Sequence, residues 1–586
     1  MAISKKKKEN TTEKSIVTNV SFALGLGLLS FIFFTITLSS IAFLFHGGIS
    51  PVWLILSLLI SITLTYWRLV KTLVIRPYIW VGVLIVIITG AVAFSSQTLD
   101  STWDGNDYHK TAIGELKDGW NPVWEEMLEF HNSSRNPMAT PGREDEFRDY
   151  LTNWTDHYAK ASWIFAANIY KVTGNIESGK AITILSMFLV LFFALSFFYK
   201  LFDRNKAIII ALLLTFNPVV ITQVFNYYND GILGNYIIVL LLLFSMLIFR
   251  KLDYTKDRII ILTAITMAIV PVVNLKFSAL AYVAIVAAVY YIYLLFKKDW
   301  KLVRDVTVTG LISIVLGVFV VGASSYVLNT ITHQNPIYPL AGEGKIDIMA
   351  IQQPVGYAEQ PGIKKFIANN LYATTNLSYD LNATETPQLK VPFTISLDEL
   401  AILEGTSDAR QAGYGVWFGG ILIVSTIAAI YLVLRYARKY AEYLPIILLP
   451  LATVAITVLV FDNTWWARYL PQLIIFPVIV IVVLFALRAK TIPYVIAFML
   501  FFNVILTGLL GIGYQVNLIK ETRAAITTNL KCDKDKSITI GYGRFYGALY
   551  NMKDQCDNIT VTHKEYDELP KDKVVPIYEM TYKVLD

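Results

Sequence analysis

Two carboxylates and an imidazole are crowded into Trp103-Asp104-Gly105-Asn106-Asp107-Tyr108-His109, directly after a long apolar run ends. A carboxylate at the edge of a membrane stays ionised and can take a proton from a hydroxyl, while the apolar part of a second substrate remains in lipid. Three other connections carry polar residues where charges are costly and so informative. They are Asn226-Tyr227-Tyr228-Asn229-Asp230, Asn274-Leu275-Lys276, and Asp462-Asn463-Thr464-Trp465-Trp466-Ala467-Arg468-Tyr469. Together they set Asp104, Asp107, His109 and Asp230 against Lys276 and Arg468, with Tyr108 and Tyr228 among the aromatic neighbours. The set suits attack by an acceptor hydroxyl on a phosphate-linked sugar. An aspartate serves as general base, and the two cations stabilise charge on the departing phosphate.

Each residue also has an ordinary role to set beside the chemical one. Asp104 and Asp107 could be a helix cap or solvated loop acids, and Asp230 could cap the helix that begins near Gly231. His109 could be a packing residue. Lys276 could snorkel to the interface, and the tryptophans before Arg468 could be interfacial anchors.

The elements that must position these groups are membrane spans. Hydrophobic residues make up 55% of the chain and the mean hydropathy is +0.53, with apolar stretches of about 20 residues recurring throughout. The pattern predicts about thirteen spans, at 20–45, 51–67, 78–98, 181–202, 207–225, 231–249, 259–274, 277–296, 306–328, 413–434, 443–461, 470–487 and 492–513. Basic residues provide an independent check, because they collect in short cytoplasmic connections. Lys5 to Lys8 and Lys14 begin one series. It continues through Arg68, Lys71 and Arg76; Lys200, Arg204 and Lys206; Arg250, Lys251, Lys256 and Arg258; Lys297, Lys298, Lys301 and Arg304; Arg435, Arg438 and Lys439; and Arg488 and Lys490. The short connections of the other series hold only Lys276 and Arg468. This places the N-terminus in the cytoplasm and the C-terminus outside. The formal charge of +6 then reflects topology and gives no reason to expect nucleic acid as a partner. The first apolar run is long, lacks a small-residue cleavage site and is soon followed by a second span, unlike a cleaved signal peptide.

Long polar segments at 99–180, 329–411 and 514–586 all fall on the external side. The stretch Tyr158 to Val172, with Trp163, Phe165, Ile169 and Tyr170, suits either a helix lying in the interface or a short helix packed on the other loops. Residues 514–586 hold Cys532 and Cys556, whose disulfide would close a loop of about 25 residues in an oxidising compartment. Around them Ser537 to Gly541, a mixed stretch to Tyr550, and Ile559 to Thr562 read as strand, helix, strand. The expected organisation is a basic tail and two additional N-terminal spans over 1–77, a transmembrane core over 78–513, and a small external α/β region over 514–586.

With these residues in place, the chain resembles the membrane-embedded GT-C superfamily of polyprenyl-phosphate-sugar-dependent glycosyltransferases, which includes protein O-mannosyltransferase and aminoarabinose transferase relatives. The resemblance spans most of the chain. It rests on WDGNDYH at 103–109, His157-Tyr158-Ala159-Lys160 through Gly174-Asn175-Ile176-Glu177-Ser178-Gly179-Lys180, Asn217-Pro218, YYNDG at 227–231, NPIYP at 335–339 and ARYLP at 467–471. It implies an all-α polytopic fold, interfacial helices in the external loops, a catalytic aspartate in the first large loop, and a donor groove open to the outer leaflet. Asp104 matches the family position and Asp107 is the second candidate. A divalent metal (Mg or Mn) joining Asp104, Asp107 and Asp230 stays open. So do the acceptor, which is an envelope glycan, a glycolipid or a protein, and the sugar. A transporter or lipid flippase, and a polymerase or ligase using a diphosphate-linked glycan, are the competing classes.

Overall fold

The computed structural model describes residues 2–136, 154–249, 257–342, 345–346, 353–354, 356–375, 388–405, 408, 410–436, 444–525, 538–541, 546–555, 559–561, 574–577 and 580–585. Among them, nine helices are long and apolar enough to cross a membrane: Lys14–Leu44, Pro51–Lys71, Pro77–Ser95, Ile176–Leu201, Asp230–Ile248, Ser278–Phe296, Trp300–Val321, Phe418–Arg435 and Ile492–Thr522. Three shorter apolar helices, Arg258–Val273, Leu444–Val460 and Pro471–Ala486, accompany them.

The span expected at 207–225 is instead two pieces, Arg204–Thr215 and Pro218–Gln223. Pro218 lacks the N–H that would continue the first piece, and the Asn217 side chain caps the second by accepting from Val219 N. The Asn217 amide also donates to the Pro471 carbonyl, tying the break to the segment that follows Arg468. At 1.5 Å per residue, the two pieces together still reach about 27 Å.

Burial separates central helices from peripheral ones. Most of the apolar window of Lys14–Leu44 is enclosed by protein, as is that of Asp230–Ile248, whereas Pro51–Lys71 and Pro77–Ser95 leave Val52, Ile55, Leu59, Ile79 and Val86 exposed. The first helix therefore lies within the bundle although it precedes the motif-bearing loop. Its fit is close at Gly27, where an added Cβ would meet Thr65 Oγ1 at 2.2 Å, and Ser61 Oγ donates to the Gly27 carbonyl at 2.7 Å. Small residues of this kind let membrane helices approach and exchange hydrogen bonds.

Contacts between connections agree with the alternating assignment of loops to two ends of the bundle. At one end Arg68 grips Asp257 with two hydrogen bonds of 2.6 and 2.7 Å, Lys14 Nζ donates to the Phe202 carbonyl at 2.8 Å, and Arg258 pairs with Asp305 at 2.6 Å. All of these belong to the basic series. At the other end, the connections carrying Asp104, Asp230, Lys276 and Arg468 converge.

Of the two readings of the stretch beginning at Tyr158, packing prevails. The helix Ala161–Thr173 is buried at every position from Ala161 to Tyr170. Gly362–Leu371 has the opposite character, with Ile363 and Ile367 exposed and Lys365, Asn369 and Asn370 buried. Apolar side chains turned outward and polar ones inward are what a helix resting on lipid requires.

At the C-terminal end the strands Ile559–Val561, Ile538–Gly541, Met580–Leu585 and Val574–Ile577 form one sheet in that order across it. The first pair is parallel and the others are antiparallel. The helix Gly547–Lys553 lies between two of these strands in sequence and docks on the first loop. Cys532 and Cys556, and with them the expected disulfide, lie outside the described residues.

Candidate active site

Asp104 stands at the entrance of a π-helical turn, Gly105–His109, that runs into the helix Lys110–Asp118. The turn is held from beneath by Asp100, a buried carboxylate not singled out in the sequence. Its Oδ1 accepts from Thr102 N and Oγ1 at 2.8 and 2.6 Å, and its Oδ2 from Tyr227 N at 2.9 Å. A Cβ on Gly105 would lie 2.0 Å from Asp100 Oδ2, so only glycine fits there. Lys110 Nζ ties the turn to distant segments, reaching Asn106 Oδ1 at 2.9 Å, Glu177 Oε1 at 2.8 Å and Asn551 Oδ1 at 2.7 Å. Glu177 also pairs with Lys180 at 2.6 Å. These charges are buried but mutually compensated, the condition under which burial is tolerable. The WDGNDYH and GNIESGK segments, the YYND connection and the C-terminal helix are thus joined by one polar network.

On this support, four of the sequence-predicted charged residues come together. Arg468 Nη1 lies 3.6 Å from Asp104 Oδ2, and Arg468 Nε lies 4.0 Å from Asp230 Oδ2. Lys276 Nζ donates to Asp230 Oδ1 at 2.6 Å. Aromatic faces surround both cations. The Arg468 guanidinium lies 4.2 Å from the Trp466 ring centre, 4.9 Å from that of Tyr228 and 5.5 Å from that of Tyr469, and Lys276 Nζ lies 4.2 Å from the Tyr469 ring centre. Such contacts retain a cation in a partly dry site. Burial works against the charge on Lys276, but Asp230 more than offsets it and the pKa is raised. Lys276 does more than snorkel, since its ammonium is committed to a buried partner.

Burial raises the pKa of Asp104, while Arg468 and a hydrogen bond from Tyr108 oppose the shift. A carboxylate balanced in this way is a better proton acceptor than one free in water. Asp104 is also the most exposed of the carboxylates around Arg468, with 26% of its side-chain surface open against 19% for Asp408 and 4% for Asp230. It is therefore the one best placed to meet a substrate.

Asp107 and His109 have other surroundings. Asp107 is buried within the turn, and its carbonyl accepts from Thr111 Oγ1. The His109 ring packs between Tyr108 and Trp163, and its Nδ1 accepts the Trp163 indole N–H at 2.6 Å. Burial lowers its pKa to about 3, so the ring is neutral at physiological pH. In this setting the His109 ring packs and accepts a hydrogen bond as a neutral imidazole.

Sequence reasoning missed Asp408, whose Oδ1 lies 3.4 Å from Arg468 Nε. It comes from the far end of the second large loop, and no local motif marks it. Burial raises its pKa to about 6 against the opposing pull of Arg468 and Arg410.

The donor set does not fit a divalent metal. Asp230 already receives Lys276 on one oxygen and faces Arg468 with the other, so a further cation would meet two positive charges. Among the described residues no group of three His, Cys, Asp or Glu side chains could hold a metal ion.

No family model matches the sequence, and no curated protein matches it. Among solved structures, the chain is similar to "Crystal Structure of ArnT from Cupriavidus metallidurans in the apo state", with a TM-score of 0.42 and 11% sequence identity over 82% of this chain and 85% of that one.

Proposed function

We propose that the chain is an integral membrane glycosyltransferase of GT-C type. It moves a sugar from a polyprenyl-phosphate carrier to an acceptor hydroxyl at the outer face of the plasma membrane. The observation that carries this reading is the pairing of Asp104 with Arg468 at 3.6 Å, beside a second cation, Lys276, committed to Asp230.

The arrangement supports a single displacement. Ionised Asp104 accepts the proton of the acceptor hydroxyl as its oxygen bonds to the anomeric carbon. The bond from that carbon to the phosphate oxygen breaks, and its electron pair leaves with the lipid phosphate. Asp104 loses its negative charge as the phosphate gains one. Arg468, which neutralises Asp104 in the resting site, is free to transfer its interaction to the leaving group. Fixed cations that follow developing charge need little reorganisation at the moment of reaction. One displacement inverts the anomeric centre. Asp107, next in the same turn, is the alternative base.

Side-chain placement also supports the distribution of roles. Tyr108 orients Asp104, Tyr228 and Tyr469 hold the cations, and Asp230 fixes Lys276. The acceptor, an envelope glycan, a glycolipid or a protein, would approach from the large loops, and the donor's tail would lie along the exposed apolar helices. The test is reconstitution in liposomes with polyprenyl-monophosphate sugars, following loss of sugar from the lipid. Transfer without any need for an ion gradient is expected. Gradient-driven substrate movement without cleavage of the sugar–phosphate bond would instead make the protein a carrier.

A further inference from the structure

The third carboxylate at Arg468 has no task in the displacement just described. Asp104 and Asp408 approach the same guanidinium from different atoms, Nη1 at 3.6 Å and Nε at 3.4 Å, and they arrive from different large loops. Asp230 faces the same Nε atom from farther off, at 4.0 Å, and is already paired with Lys276, which leaves Asp408 as the nearer carboxylate on that edge. The nearby charges are then three carboxylates against Arg468, Lys276 and Arg410, whose guanidinium lies 4.8 Å from the Trp466 ring centre. The resting site is close to neutral and has little spare positive charge.

We propose that Asp408 determines donor specificity, its carboxylate on the Nε edge of Arg468 restricting the site to a singly charged phosphodiester and rejecting a diphosphate. The inference rests on the functional reading above and deepens it. A lipid-phosphate sugar carries one negative charge and needs only the face of Arg468 that Asp104 vacates as it takes the proton. A lipid-diphosphate sugar would bring a second phosphate and a second charge. That phosphate would need the edge that Asp408 covers, where like charges at this range repel strongly in a partly dry site. Asp408 therefore acts by exclusion and takes no part in bond making.

The experiment uses the full chain in detergent micelles and two probes, farnesyl methyl phosphate as the phosphodiester and farnesyl diphosphate, with binding followed by tryptophan fluorescence. The ratio of the two affinities is read, so an inactive fraction of protein cancels. Wild type should favour the phosphodiester. Asp408→Asn should tighten diphosphate binding by about ten-fold or more while the phosphodiester changes by less than about three-fold, ten-fold corresponding to about 1.4 kcal/mol. Asp408→Glu, which keeps the charge, should retain the wild-type ratio. An unchanged ratio in Asp408→Asn, or a ratio lost equally in Asp408→Glu, would overturn the inference and leave the functional reading standing. If neither probe binds wild type, the functional reading falls and the inference with it.

Discussion

Replacing Lys276 by methionine should damage the site in a way its geometry makes calculable. The ammonium lies 2.6 Å from Asp230, with 14% and 4% of the two side chains exposed. Removing one partner of a buried pair costs about 3 to 5 kcal/mol. Here Arg468 remains 4.0 Å from Asp230 as a substitute, so the expected loss is smaller, about 2 to 3 kcal/mol. The substitute has a chemical consequence. Arg468 would be drawn toward Asp230 and away from Asp104, 3.6 Å away on its other side. Burial raises the pKa of Asp104 and Arg468 lowers it, so weakening that contact raises it further. Asp104 must be ionised to accept a proton, and activity is therefore lost at a higher pH as the medium is acidified. Lys276→Met should show a lower apparent unfolding temperature in detergent, sugar transfer reduced about 100-fold, and an acid limb displaced toward higher pH. Adding Asp230→Asn removes the stranded carboxylate and should recover about 2 kcal/mol, within the usual range for contacting residues. A double variant as unstable as the single one, or an acid limb that does not move, would refute the reasoning.

Gly114→Ala should detach the C-terminal helix from the first large loop, because the new Cβ would lie 2.1 Å from the Tyr550 ring. Overpacking of this kind costs about 1 to 3 kcal/mol, readable as a lower unfolding temperature, and transfer should fall as the Lys110 to Asn551 bond is lost. His109→Gln supplies an alternative acceptor for the Trp163 N–H. Because the His109 ring is already neutral, held by burial at a pKa of about 3, a pH–rate profile between 5 and 8 should keep its shape and transfer should stay within about ten-fold, or 1.4 kcal/mol. A loss as large as that from removing Asp104 would return His109 to the chemistry.

Much of this architecture was legible because membrane spans are written in long apolar runs and the alternation of their connections in basic residues. The pairings of Arg68 with Asp257 and Lys14 with Phe202 join connections that charge alone had assigned to one side. The break at Asn217-Pro218 was present in the sequence as a helix-stopping pair, but high hydropathy on both sides concealed it. Asp104, Asp230, Lys276 and Arg468 were recognisable as charges in places where charge is costly. Asp408 was not, since an acid in a long polar loop looks like any solvated residue until the fold brings it to Arg468. His109 is reactive by type, and its burial against Trp163 and neutral state are features that no local pattern records. Lys110, which also donates to the Asp100 carbonyl, meets Asn551 across 441 residues of separation, and no local pattern records such a contact.

The central claim is that Asp104 takes the acceptor's proton, and the most direct measurement is transfer of sugar from a polyprenyl-phosphate donor by reconstituted Asp104→Asn. The amide preserves shape and removes basicity. Transfer should fall by about 100-fold to 10,000-fold, with the unfolding temperature close to that of wild type and lipid-phosphate binding no weaker. Transfer at the wild-type rate would contradict the account.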